Sequence, residues 1–142
     1  MKKIILVLFI LVFNLNAKNY RLENPDAWSA KNVESAIESI YGKIEPIEGK
    51  IKLKAPKVAS NGSSIPIFIK TSIKAKSIAI FQDANPESTV AIFNIQKDQI
   101  IDLSIKIKMK KSGNIYVLLE GLDGKFYSKE IYLDVAIGGC EG

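Results

Sequence analysis

The chain is 142 residues long, with 20 basic and 15 acidic side chains, one cysteine and no histidine. Without histidine it can build no Ser-His-Asp or Cys-His nucleophile pair, and it lacks the commonest metal ligand. A net charge of +5, scattered along the chain, is too mild to argue for nucleic acid and supports only a weak bias toward anionic small molecules.

The N-terminus has the layout of a secretory signal peptide. Met1-Lys2-Lys3 is a basic start, Ile4 to Phe13 is an unbroken apolar run, and Asn14-Leu15-Asn16-Ala17 offers a small residue at the cut. Cleavage is expected after Ala17. The alternative, an uncleaved anchor, is disfavoured because ten apolar residues fall short of the ~20 needed to span a bilayer. No cysteine follows the run to receive a lipid, and no Arg-Arg pair marks a twin-arginine route. Removing Lys2 and Lys3 takes the net charge from +5 to +3, and what remains is enough for a single domain. The expected boundaries are a signal peptide at 1–17, a β-sandwich domain with an N-terminal helix at 18–137, and a C-terminal arm at 138–142. No membrane association is expected after cleavage.

Lys18 to Asp26 is polar and contains Pro25, which predicts an arm over the surface. Within Trp28–Gly42, Val33, Ile37, Ile40 and Tyr41 recur at the spacing of one helical face. Asn32 or Ser29 suits the cap, and Gly42 the left-handed position that ends the helix. This stripe reads as packing, placed to cover an edge or an end of a sheet. From Gly49 the period becomes two. Ile51 and Leu53 alternate with lysines, and Ala55-Pro56 closes that strand. Ile65, Ile67 and Ile69 follow the Asn61-Gly62-Ser63-Ser64 turn; Ile78 and Ile80 precede the Asp83-Ala84-Asn85-Pro86 turn. Val90 to Ile95 is a fourth strand. Ile101, Leu103, Ile105, Ile107 and Met109 face in while Lys106, Lys108 and Lys110 face out. Ser112-Gly113-Asn114 leads into Ile115, Val117 and Leu119, and Leu122-Asp123-Gly124-Lys125 into Phe126-Tyr127. Ile131, Leu133, Val135 and Ile137 end the series at Gly138. About seven strands with one apolar face predict an all-β fold: an immunoglobulin-like antiparallel β-sandwich with one N-terminal helix and a flexible C-terminal arm.

Little of this carries chemistry. Lys106, Lys108, Lys110 and Lys111 are the densest basic cluster; a solvated face that discourages edge pairing is the simpler reading, and docking of an acidic partner or anion the other. Glu34 and Glu38 lie one helical turn apart, and with Glu45 and Glu48 read as solvated carboxylates rather than an acid–base pair. No phosphate loop, zinc spacing or nucleophile elbow is present, so neither a metal nor a cofactor is expected.

Cys140 is different. It is the third residue from the end, in Gly138-Gly139-Cys140-Glu141-Gly142. A lone cysteine in an exported chain has no internal partner and implies a reactive thiol or an intermolecular disulfide. Reactivity follows thiolate character and exposure. A frayed terminus that happens to end in cysteine is the bland reading, but an exposed thiol in an oxidising compartment is a liability without a use. Gly138, Gly139 and Gly142 remove bulk and add backbone freedom, which suits a tail that threads a channel and presents its sulfur to another protein.

These features together resemble the SoxY family, the sulfur-carrier subunit of the bacterial thiosulfate-oxidising (Sox) system. The resemblance runs through Ile40-Tyr41-Gly42, Lys52-Leu53-Lys54-Ala55-Pro56, Ile105-Lys106 with Met109, Tyr127-Ser128-Lys129 and the Ile137-Gly138-Gly139-Cys140 terminus. It implies a periplasmic carrier rather than an enzyme, with Cys140 as the covalent sulfur attachment site and Gly138, Gly139 and Gly142 as the mobile arm. It implies a SoxZ-like β-sandwich subunit as heterodimer partner. A c-type cytochrome would attach thiosulfate, a hydrolase would release sulfate, and in some systems a sulfane dehydrogenase would oxidise the remaining sulfur. Two features depart from the family pattern. Glu141 stands where members commonly have glycine, and the signal lacks the Arg-Arg pair that members often carry. A carboxylate beside the sulfur raises a thiol's pKa and repels anionic thiosulfate. The alternative function is an exported β-sandwich binding module whose cysteine forms an intermolecular disulfide.

Overall fold

The computed structural model describes residues 18–136, so the expected signal peptide at 1–17, Ile137 and the expected arm with Gly138, Gly139, Cys140, Glu141 and Gly142 lie outside the described residues. Three helices come first: α1 (Tyr20–Glu23), α2 (Pro25–Ser29) and α3 (Val33–Tyr41). Nine strands follow: β1 (Ile47–Glu48), β2 (Ile51–Lys54), β3 (Val58–Ala59), β4 (Ile65–Thr71), β5 (Ala75–Gln82), β6 (Thr89–Asn94), β7 (Ile101–Ile107), β8 (Gly113–Gly121) and β9 (Phe126–Val135). One sheet runs β1-β9-β8-β5-β6, with β3 also paired to β9; the other is β2-β4-β7. The two face each other as a sandwich, as the alternation predicts.

The core is filled by the inward rows of both sheets. Ile65, Ile67, Ile69 and Ile101 from the smaller sheet meet Ile78, Ile80, Ile115, Val117, Leu119 and Leu133 from the larger. These branched side chains give up little rotamer freedom on a pleated surface and fill it well. Each fully buried one contributes roughly 1.5–3 kcal/mol of apolar burial.

The N-terminal region differs from expectation in two ways. Residues 18–26 are not an arm over the surface: Asn19 caps α1 through Leu22 N–H, Pro25 opens α2, and Tyr20 and Ala27 are buried. Nor do the helices cover an edge or an end. They lie on the outer face of the larger sheet, where Tyr20, Ala27, Ala36 and Ile40 pack on Ala79, Phe81 and Leu118. The alanines at the contact allow close approach. The physical reason is that β5 is apolar on both faces, so Ala79 and Phe81 need a cover as much as Ile78 and Ile80 need a core. α3 itself matches: Asn32 Oδ1 accepts from Ser35 N–H, and Gly42 ends the helix at φ +74°.

The smaller count of strands in the sequence reading has a plain cause. β1 and β3 are two residues each, too short to show a period, and both pair with β9 in parallel rather than antiparallel. The Phe126-Tyr127 and Ile131–Val135 segments are one continuous strand, β9.

Candidate functional site

Cys140 is four residues beyond Ala136 in sequence, so what the structure describes is the strand end that precedes it. β9 ends between two neighbours. On one side it pairs with β8, Leu133 opposite Gly113. On the other it pairs with β3, Val58 opposite Asp134 and Ala59 opposite Val135. Past the ladder, Asp134 N–H donates to Lys57 O (3.2 Å) and Ala136 N–H to Ala59 O (2.9 Å). Val135 N–H donates to Ser112 Oγ (2.9 Å). The amides of residues 134 to 136 are therefore all satisfied, which holds this end of the strand in place.

The floor beneath is equally tight. Asn61 Oδ1 accepts from Ser63 N–H and Oγ, turning the chain so that Gly62 lies against β9. A Cβ at Gly62 would collide with Met109 O and stand 2.9 Å from Val135 Cγ1. Met109 is itself fully buried and donates its N–H to Gly62 O (2.8 Å). On the exposed face of this strand end, Tyr132 (61 % exposed) and Val58 (59 % exposed), which pairs with Asp134, present apolar surface.

The four lysines predicted as one cluster are divided by the structure. Lys106 lies on the outward side of β7, opposite Pro66. Lys110 and Lys111 belong to the connection that crosses from β7 in one sheet to β8 in the other, next to Ser112 and so beside the end of β9. Glu34 and Glu38 are exposed on α3 and Glu45 lies in the following loop, whereas Glu48 accepts a hydrogen bond from Lys129 Nζ (2.5 Å) across β1 and β9. That bond holds the Glu48 carboxyl below its ordinary range. Ser112 and Gly62 had no chemical signal in the sequence beyond their turn composition.

A second polar group lies at the far end of β8, about 23 Å away at ~3.3 Å per residue over seven residues. Tyr41 Oη shares a hydrogen bond with Ser77 Oγ (3.0 Å), Ser77 Oγ donates to Glu120 Oε2 (3.3 Å), and Lys76 Nζ donates to Glu120 Oε1 (3.1 Å). Burial pushes the Tyr41 phenol well above the ordinary tyrosine range. A phenol held neutral in this way links helix to sheet. Between the two ends, a groove of about 570 Å³ separates α3 from β8 and β9, lined by Val33, Ile37, Ile44 and Tyr116 and edged by Glu34 and Glu130. Among the described residues no group of three or more His, Cys, Asp or Glu is placed to hold a metal ion, and no helix is long and apolar enough to cross a membrane.

Known proteins share this architecture. The solved structure of the sulfur carrier protein SoxY from Chlorobium limicola f thiosulfatophilum superposes with a TM-score of 0.67 at 32 % identity, covering 74 % of this chain and 96 % of that one. A superoxide reductase (neelaredoxin) from Ignicoccus hospitalis gives 0.55 at 14 % identity, covering 62 % and 81 %. A putative superoxide reductase from Thermotoga maritima gives 0.51 at 13 %, covering 66 % and 94 %. At those identities the two reductases show a shared fold and nothing more. No curated protein matches the chain. The family model described as sulfur oxidation protein SoxY matches residues 37–140, a span that takes in the C-terminal half of α3, the whole sandwich and Cys140. The chain belongs to the SoxY family.

Proposed function

We propose that this protein is a periplasmic sulfur carrier that holds thiosulfate-derived groups on Cys140 and presents them to other Sox proteins. The observation that carries the reading is a family match that extends to Cys140, on a domain whose last described residues are fastened on both sides. From Ala136, four residues of extended chain reach at most about 14 Å. That is enough to carry the sulfur from the platform into a partner's active site, with Gly138 and Gly139 keeping the tether slim.

The chemistry divides between the carrier and its partners. The Cys140 thiolate and thiosulfate join through a new S–S bond, giving Cys–S–S–SO₃⁻, and the two electrons released pass to the c-type cytochrome. Water then cleaves the S–SO₃ bond in the hydrolase, releasing sulfate and two protons and leaving the persulfide Cys–S–S⁻. A sulfane dehydrogenase, where present, oxidises that remaining sulfur. The domain's own contributions are to anchor the tether and to supply the basic β7–β8 connection of Lys110 and Lys111 beside its root, which favours an anionic cargo. A SoxZ-like subunit completes the carrier as a heterodimer.

Intact-mass spectrometry after incubation with thiosulfate and the cytochrome tests this. An adduct on Cys140 that is absent from Cys140→Ser is expected. An adduct that survives Cys140→Ser overturns the assignment, and a stable disulfide dimer that retains full activity would favour the binding-module alternative.

A further inference from the structure

The two outer faces of the sandwich are unlike. Helices cover the larger sheet, but among the described residues nothing covers the outer face of β2-β4-β7. Pairing registers place its outward residues in rows: Lys52, Lys70 and Asp102; then Lys54, Phe68 and Ser104; then Pro66 and Lys106. Phe68 is at the centre and 49 % exposed, while its strand neighbours Ile67 and Ile69 are fully buried. Lys70 is paired with Asp102 (2.5 Å). Lys52, Lys54 and Lys106 have no acidic partner among the described residues, so the face is basic around one aromatic.

Edge protection explains lysines on β2 and β7, which are the edges of this sheet. It does not explain an outward phenylalanine on β4, the central strand. An aromatic anchor ringed by unpaired charge is the arrangement of a docking surface. We propose that this face docks an acidic protein surface with an apolar notch that receives Phe68. The proposal rests on the carrier reading for the identity of the partner: a protein that acts on the loaded arm, and not a permanent subunit.

Size supports that choice. Two strands of seven residues and one of four make a face of about 280 Å² at ~3.3 Å per residue and ~4.8 Å between strands, well under the ~800 Å² per partner of a stable complex. A small, charge-steered contact gives fast association and fast release, which a carrier visiting several enzymes in turn requires. A second copy docking through the same face would oppose lysine to lysine. A single aromatic on a flat strand suits neither membrane insertion nor the two or three stacked bases of sheet-bound RNA.

The test titrates the full chain against the purified cytochrome and the purified hydrolase, each separately, at three salt concentrations. Phe68→Ser should raise Kd at least tenfold for one or both. Lys52→Gln with Lys54→Gln and Lys106→Gln should raise Kd and flatten its salt dependence. Unchanged urea midpoints certify that the variants fold. Kd values that neither variant moves, or no measurable binding to either enzyme, overturn the proposal. So do self-association abolished by Phe68→Ser, or preferential binding to vesicles of 70 % phosphatidylcholine and 30 % phosphatidylglycerol or to a thymidine 20-mer. Adduct mass on Cys140 is followed in the same samples: adducts with unaffected binding overturn the surface alone, and variant-sensitive binding without adducts overturns the carrier reading alone.

Discussion

Gly62→Ala places one methyl group against the end of β9, and the structure fixes what it meets. The new Cβ would overlap Met109 O, a backbone atom in a buried segment, and approach Val135 Cγ1 to 2.9 Å. Neither can turn aside as the end of a long side chain would. Met109 is tied by its N–H to Gly62 O, and Val135 by its N–H to Ser112 Oγ. Relief therefore needs the 61–64 turn to move away from β9, stretching the Met109 bond. Overpacking of this kind costs about 1–3 kcal/mol. With an m-value of roughly 1.5 kcal/mol per molar urea, the midpoint should fall by about 0.7–2 M at unchanged slope. Ser60→Ala, an exposed change in the same loop, is the control and should stay within about 0.5 kcal/mol of the parent. A Gly62→Ala midpoint equal to that of Ser60→Ala would refute the packing described at the end of β9.

Tyr41→Phe removes one hydrogen bond while Ser77 keeps Glu120, so it should cost about 1 kcal/mol. Above pH 10 the unfolded chain ionises Tyr41 and the folded one, with its raised pKa, does not; stability should therefore fall with rising pH in the parent and fall less in Tyr41→Phe, as urea midpoints at pH 8 to 11 would show. The Glu48 carboxyl is lowered by Lys129, so its contribution is present above the unfolded value near 4.5 and lost as pH drops through the folded value. The difference in thermal midpoint between parent and Lys129→Met should shrink between pH 7 and pH 3; a constant difference would contradict the assignment. Glu141→Gly should leave the urea midpoint unchanged and alter transfer rates with the partner enzymes, and equal rates would show the departure to be neutral.

The sandwich was legible because its core strands alternate without interruption. Ile65–Ile67–Ile69 and Ile101–Ile107 each declare one inward face, and the turns between them carry Asn, Gly, Asp or Pro. β5 was harder. Ile78 and Ile80 identified the strand, yet Ala79 and Phe81 between them were the mark of a second buried face, and that is where the helices sit. Residues 18–26 looked like an arm because their polarity hides two short helices held by tertiary contacts, Tyr20 and Ala27 being the buried residues. β1 and β3 owe their pairing to β9 and have no pattern of their own. Of the candidate site, the cysteine and its glycines were visible as composition at a terminus. The platform was not, because it consists of backbone bonds between segments up to 77 residues apart, such as Ala136 with Ala59. The lysine cluster was visible as four residues, but only the fold separates Lys106, on β7 beside Phe68, from Lys110 and Lys111, on the connection near the end of β9.

The central claim is that Cys140 carries thiosulfate's sulfur between enzymes, and labelled thiosulfate tests it most directly. The chain is loaded by the cytochrome with ³⁵S in either the outer or the sulfonate position, then given to the hydrolase. Outer-position label is expected to stay on the Cys140 peptide while sulfonate label leaves as sulfate. Both labels leaving together, or neither ever residing on that peptide, would contradict it.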